Sequence, residues 1–251
     1  MCTLLLATRV WSEIPLLLAA NRDERLDRPS APAQLTCQGE RRIFAPRDLL
    51  AGGTWLGLND TGVLAGITNR FTGVNRRPDG SKRSRGRLVD RALQANSAEQ
   101  AAADLRETQA VNYPGFHLLV ADRSAAFIIW SDGRSLQQQA LGPGLHILTE
   151  RSFGAAPSKR EMLLRASLAK FTATTKPDLE RLSSILRTHH DPAFESTCVH
   201  MPELHYGTRS SAIITFGRQG PHRYLSAEGA PCSTPFGDHS ASMRAALQPM
   251  A

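Results

Sequence analysis

The sequence predicts an α+β fold with mostly antiparallel sheets. Apolar strand-like runs and helical stretches come in separate blocks, in the order strands, helices, strands, helices, strand, where a parallel sheet would alternate them. The opening runs "CTLLLATR" and "IPLLLAAN" are short, apolar throughout and joined by the polar turn "VWSE", as buried paired strands are. Neither a P-loop nor a G-x-G-x-x-G turn occurs, so a nucleotide site on a parallel sheet is not indicated.

The elements follow in order. Residues 28–53, rich in proline, glycine and arginine, read as an irregular excursion. "TWLGLNDTGVLAGITN" reads as a hairpin whose turn at 59–62 places Asn and Gly where positive φ is needed. Residues 70–87, "RFTGVNRRPDGSKRSRGR", form a basic loop. A helix begins near Ser84 and runs through "LVDRALQ"; another begins at "SAEQAAADL", where Ser97 and Gln100 have capping-box spacing. "FHLLVAD", "AAFIIWSD" and "SLQQQAL" read as strands, with "SDGR" as a turn, and "GLHILT" at 144–149 as another. Helices are expected over 158–171 and 178–187, and a late strand over 210–216 that pairs back into a sheet. One domain is expected over 1–240, with 241–251 a disordered tail.

The chain of 251 residues is long enough to bury a substantial core. Its formal net charge of +7 favours anionic partners such as phosphates and carboxylates and does not by itself indicate nucleic acid. The four cysteines, Cys2, Cys37, Cys198 and Cys232, are widely spaced, which fits a reducing cytoplasm rather than a disulfide framework. The apolar runs near the start are each about five residues, shorter than the roughly 7–15 of a signal-peptide core. No run approaches the ~20 residues of a transmembrane helix.

A cysteine directly behind the initiator methionine has two readings. It starts a strand, or it is a nucleophile whose own α-amine acts as base once Met1 is removed. The α-amine has a pKa of about 7.7–8.0, so about a tenth of it is neutral at pH 7 and can take the thiol proton. A short hairpin brings "NRDE" at 21–24 back alongside Cys2. There Arg22 could stabilise a thiolate or bind a substrate carboxylate, and Asp23 could hold the α-ammonium. Four polar residues after a strand also make an ordinary solvated turn, and spacing alone does not separate the two.

The motifs "MCTLLLA", "NRDE", "APRDLLAGGTWLG", "TNRF", "SRGRLV" and "YGTRSS" occur in this order over about positions 1–215. Together they closely resemble the NRDE family, also called the transport-and-Golgi-organisation protein 2 family. The family looks like a branch of the N-terminal-nucleophile (Ntn) hydrolases, which implies a four-layer αββα sandwich. The cysteine members of that class act on linear amide bonds, among them conjugated bile-salt and penicillin V hydrolases. The resemblance implies Cys2 as nucleophile, Arg22 and Asp23 as its neighbours, Asn69 as the oxyanion-hole asparagine and Arg209 as a late active-site arginine. Asn21, Glu24, Arg70, Arg76, Arg77 and Glu150 are then candidate ligand contacts. Glu150 stands where those hydrolases carry asparagine; a carboxylate donates no hydrogen bond unless protonated, and it opposes thiolate formation.

The family's other implied roles are haem trafficking and binding of acyl-CoA or related lipids. The expected ligand is thus small and anionic or amphiphilic, with haem a possible ligand and no cofactor required. The basic loop, with Arg70, Arg76, Arg77, Lys82, Arg83 and Arg85, suits propionates or phosphates. His189, His190, Cys198, His200 and His205 cluster in sequence and could ligate haem iron or zinc, but they match no recognised zinc spacing, and no metal is assigned to them. His117 and His146, in expected strands, read as core or sheet-face residues.

Overall fold

The computed structural model describes residues 2–73, 80–153, 158–169 and 171–248. In chain order its first strands are β1 (Cys2–Thr8), β2 (Leu16–Arg25), β3 (Ser30–Gln38), β4 (Arg41–Asp48), β5 (Leu56–Asn59) and β6 (Leu64–Asn69). Two helices follow, α1 (Gly86–Ala92) and α2 (Ala98–Leu105), and then β7 (Phe116–Ala121), β8 (Ala126–Ser131), β9 (Leu136–Ala140) and β10 (Gly144–Leu148). After α3 (Lys159–Leu168) and α4 (Leu179–Leu186) come β11 (His200–Met201), β12 (Tyr206–Gly217), β13 (Gly220–Ala227), β14 (Gly237–Asp238) and α5 (Ser240–Leu247). Every described strand pair is antiparallel, and the blocks fall in the order read from the sequence.

The chain forms two compact units. The first comprises Met1–Arg28 and Pro143–Ser242, the second Pro29–Gly142 and Met243–Ala251. In the first unit the strands run in the order β10-β1-β2-β12-β13-β14, with β11 also pairing β12. Leu5, Ala7, Leu17, Ala19, Ile147 and Ile213 share one face and pack with Leu164 and Leu168 of α3 and Leu182, Ile185 and Leu186 of α4. Trp11 closes this layer edge-on against Phe171, ring centroids 5.4 Å apart, and donates its indole N–H to the Thr174 carbonyl at 2.9 Å. The alternate residues Leu4, Leu6, Leu16, Leu18, Ile214 and Phe216 are also buried. Burial of both faces explains why β1 and β2 read as unbroken apolar runs without alternation.

The second unit is a seven-stranded meander, β3-β4-β5-β6-β7-β8-β9, with α1 and α2 packed on β6, β7 and β8. Two of the recognised motifs meet here. Gly53 has φ +83°, and a Cβ on it would lie 2.8 Å from the Gly86 carbonyl carbon. The "GGT" turn and the start of α1 therefore touch backbone to backbone, an approach only glycine allows. Asn59, fully buried, donates to the Leu93 and Ala95 carbonyls and accepts from the Val63 N–H, fixing the 59–62 turn. Ser97 caps α2 through the Gln100 N–H, and Gln100 accepts from the Asn96 N–H, close to the expected capping box.

Two expectations change. Residues 28–53 are not an irregular excursion but mostly the hairpin β3–β4. β3 is an edge strand, largely exposed or half-buried, with Pro32 at an irregularity between Ala31 and Gln34. An edge bulge is where a sheet tolerates proline, and it erases the alternation a strand would show. Nor are residues 241–247 of the expected tail disordered, since α5 covers Ser240–Leu247 with Met243 and Leu247 buried one helical turn apart. Asp238 Oδ1 accepts the Ser240 N–H at its start.

Candidate active site

β1 and β2 pair so that Cys2 lies opposite Arg22 and Thr3 opposite Asn21. Opposed residues share a face, and neighbours along a strand do not. The motif "NRDE" is therefore split between the two faces. It is also no solvated turn: β12 pairs with the far side of β2 as far as Arg25, which leaves Asn21, Arg22 and Asp23 1%, 5% and 3% exposed.

On one face stand Cys2 and Arg22, with Ser210 of β12 paired opposite Arg22. Cys2 is half-buried, and its thiol points at the Asp23 backbone carbonyl, 3.9 Å away. The same carbonyl accepts the Tyr206 hydroxyl at 2.9 Å. Burial pushes the Cys2 thiol up from its ordinary value, with Asp23 adding to the rise and Arg22 opposing it. Burial likewise pushes the Tyr206 phenol up, so Tyr206 is a hydrogen-bond donor here.

The other face, which carries α3 and α4, holds the side chains of Asn21 and Asp23. Asn21 uses its whole amide. Nδ2 donates to the Leu186 and Thr197 carbonyls, both at 2.8 Å, and Oδ1 accepts from Ser211 at 2.7 Å. Asp23 accepts the Thr208 hydroxyl on Oδ1 at 2.7 Å and faces Arg160 Nη1 from Oδ2 at 3.4 Å. Burial pushes Asp23 up to about 6, against the pull of Arg160, and Glu150 adds to the rise. Arg160 Nη1 also lies 3.7 Å from Glu150 Oε2 and 3.4 Å from Thr3 Oγ1. Its other Nη donates to the Phe194 carbonyl.

Arg160 is a functional candidate that motif reading missed. It sits in the first turn of α3, two residues after the Ser158 cap, where the helix dipole disfavours a cation by about 0.3–1 kcal/mol. At 1% side-chain exposure it is held there by two carboxylates. Thr208 and Ser210 were missed as well. A bulge at Arg209 reverses the alternation of "YGTRSS", sending Thr208 to Asp23 and setting Ser210 opposite Arg22.

The remaining candidates fall as follows. The Asp23 carboxylate and the Cys2 thiol stand on opposite faces, so what Asp23 presents to the thiol is its backbone carbonyl. Arg209 donates to the Leu26 and Arg28 carbonyls and holds the loop after β2. Glu24 accepts the Arg25 N–H and lies 3.8 Å from Arg28. Glu150, nearly buried, reaches Asp23 through Arg160. In the second unit Asn69 ends β6, exposed, opposite Phe116, and Arg70 donates its backbone N–H to Gly115. Arg76 and Arg77 lie outside the described residues. Of the rest of the basic loop, Lys82 and Arg85 donate to the Val111 and Gly115 carbonyls. Arg83 lines a polar cavity of 240 Å3 with Arg91, Glu107 and Tyr113, smaller than the roughly 300–1,000 Å3 usual for small-molecule sites. His117 is fully buried in β7, as a core histidine would be.

A family model described as Transport and Golgi organisation 2 matches residues 1–228. The chain is 27% identical over 242 residues to a Bos taurus Transport and Golgi organization protein 2 homolog, covering 82% of this chain and 83% of that one. A Homo sapiens homolog is 35% identical over 114 residues, 44% of this chain and 40% of its own length. Among solved structures, a mutant conjugated bile acid hydrolase from Clostridium perfringens superposes with a TM-score of 0.61 at 10% identity, covering 96% of this chain and 93% of that one. A Caenorhabditis elegans ortholog of N-acylethanolamine-hydrolyzing acid amidase gives 0.56 at 12% identity, covering 85% and 92%. At such identities what is shared is the fold, and it is that of the Ntn hydrolases.

Proposed function

The chain belongs to the Transport and Golgi organisation 2 family, and on that premise we propose that Cys2 is the nucleophile of an amidohydrolase acting on a linear, non-peptide amide bond. The observation that carries the reading is the placement of the Cys2 thiol and Arg22 side by side on one face of a sheet whose reverse face buries Asp23 under Arg160. Removal of Met1 frees the α-amine of Cys2, which takes the thiol proton. The sulfur attacks the amide carbonyl, and a C–S bond forms. The α-ammonium returns the proton to the leaving amine as the C–N bond breaks. Water then hydrolyses the thioester, releasing the carboxylic acid and regenerating the thiol. Arg22 offsets the cost of the thiolate. The named activities of the two structural neighbours suggest a substrate class, an apolar acyl group joined to a small amine.

One observation favours a second reading, a carrier of haem or acyl-CoA without turnover. Burial pushes the Cys2 thiol up from its ordinary value, and such a thiol is less reactive until a base reaches it. One experiment separates the two. The protein, its N-terminus established by intact mass, is incubated with N-acyl glycines, N-acyl taurines and N-acylethanolamides. Hydrolysis predicts released amine, an acyl adduct on Cys2 in the mass spectrum, and loss of both in Cys2→Ala. Stoichiometric haem or acyl-CoA binding, with no amine released by chains that begin at Cys2, would decide for the carrier.

A further inference from the structure

His189, Cys198, His200 and Cys232 converge in the first unit with one donor atom each, all within 4.8 Å of one another. His200 Nε2 lies 3.5 Å from Cys198 Sγ and 3.2 Å from Cys232 Sγ, and the His189 and His200 rings are 5.1 Å apart. The set is two thiols and two imidazoles. Zinc binds sulfur at about 2.3 Å and imidazole nitrogen at about 2.0–2.1 Å, so a tetrahedral ion separates its ligand atoms by about 3.3–3.8 Å. The two His200–sulfur separations lie close to that range, the remaining ones are within 4.8 Å, and a tetrahedral two-sulfur, two-nitrogen set is the donor chemistry of Zn2+.

Distant pieces of chain build the cluster. His189 follows the end of α4, and the Cys198 N–H donates to the Thr188 carbonyl. His200 opens β11 opposite Gly207, where a Cβ would come within 2.8 Å of the Val199 carbonyl oxygen. Cys232 lies in the turn after β13, closed by the Ser233 N–H on Ala230. Ligands spread over 189–232 with irregular gaps match no recognised zinc spacing. Cys198 is buried while the other three are exposed, which leaves an ion a route in from solvent.

We infer that these four side chains form a tetrahedral Zn2+ site that clamps residues 189–200. Binding forms two Zn–S bonds and releases one proton from each thiol to solvent, and no electron is transferred. The clamped stretch backs the Cys2 hairpin. Its Phe194 carbonyl accepts from Arg160, its Thr197 carbonyl from Asn21, and its Val199 N–H donates to Thr208. The role is structural and independent of whether Cys2 turns over.

The test uses the reduced full-length protein, stripped of metal and titrated with Co2+ and then Zn2+. About one Co2+ per chain is expected, with the intense visible bands of tetrahedral coordination, a thiolate-to-cobalt charge-transfer band, and displacement by Zn2+. Cys232→Ser and His200→Ala, both at exposed positions, should lose the charge-transfer intensity or weaken binding by at least about tenfold. Cys37→Ser should behave as wild type. X-ray absorption at the zinc edge of the wild-type protein should show two sulfur and two nitrogen neighbours, a readout that does not depend on any variant folding. An all-oxygen or octahedral environment, sub-stoichiometric binding with all four thiols titrating as reduced, or unchanged binding in folded Cys232→Ser would overturn the inference.

Discussion

Each unit buries a polar cluster built on a motif by which the family is recognised, and the two clusters differ in kind. In the second unit Arg47 of "APRDLLAGGTWLG" faces Asp90 at 2.9 Å, with 23% and 10% of the side chains exposed. One cation meets one carboxylate beside a glycine contact that fixes the backbone, so the cluster serves the fold. In the first unit Arg160 serves two carboxylates, Asp23 and Glu150, while it and Asp23 are 1% and 0% exposed. A folding device has no need of two carboxylates shut this far from solvent, which cost stability. Such buried clusters of titratable groups mark places where charge is arranged for binding or chemistry. The comparison teaches that a buried polar motif separates into fold and function by depth and by the number of titratable groups it gathers rather than by composition.

The largest effect should come from removing the shared cation. Arg160→Met leaves two buried carboxylates without it, and a loss of about 3–5 kcal/mol is expected in denaturant titration. The loss should shrink between pH 8 and pH 5, because Asp23, relieved of the cation that pulls its pKa down, takes up a proton more readily. An equal loss at both pH values would mean that Arg160 acts through packing, and the contrast between the clusters would fall.

The next effect is a slope rather than a loss. Asp23 titrates near its ordinary 3.8 in the unfolded chain and at about 6 in the folded one. Between these values the folded state holds a proton that the unfolded state has released. Its contribution to stability is therefore present below pH 4 and lost as pH rises through about 6, by roughly 3 kcal/mol for a rise from 3.8 to about 6. Asp23→Asn should flatten that stretch of the pH–stability curve. Glu150→Gln, which removes a neighbour that raises Asp23, should move its upper end to lower pH. A wild-type curve without a fall over this interval would show that burial does not hold Asp23 protonated.

Much of this was legible in the sequence, and the exceptions have physical causes. Strands such as β1 and β7 announce themselves as unbroken apolar runs because both faces are buried. β3 does not, because it is an edge strand with Pro32 at a bulge. α5 carries Met243 and Leu247 at helical spacing, but its place at the chain's end argued for fraying. In the site, the pairing of Cys2 with Arg22 follows from a short hairpin. The same alternation shows that Asp23, one residue on, cannot turn its carboxylate to the same face. Arg160 was illegible because a cation early in a helix reads as solvent-facing until its partner, 137 residues away, is known. Thr208 and Ser210 were hidden by the bulge at Arg209, which no pattern of period two reveals.

The smallest effect belongs to the second unit, and it bears most directly on the contrast. A double-mutant cycle with Arg47→Met and Asp90→Asn measures the coupling of that pair free of what each residue does alone. The pair is partly exposed and one to one, so a coupling of about 0.5–1 kcal/mol is expected. It should fall further in about 1 M salt, where screening reaches within about 3 Å. Arg160 and Asp23, shut away from solvent, should show a coupling several times larger and almost insensitive to salt. If the Arg47–Asp90 coupling matched that of Arg160 with Asp23 in size and in salt response, depth would not distinguish the clusters. The pair of buried carboxylates beside Arg160 would then be an ordinary feature of the fold.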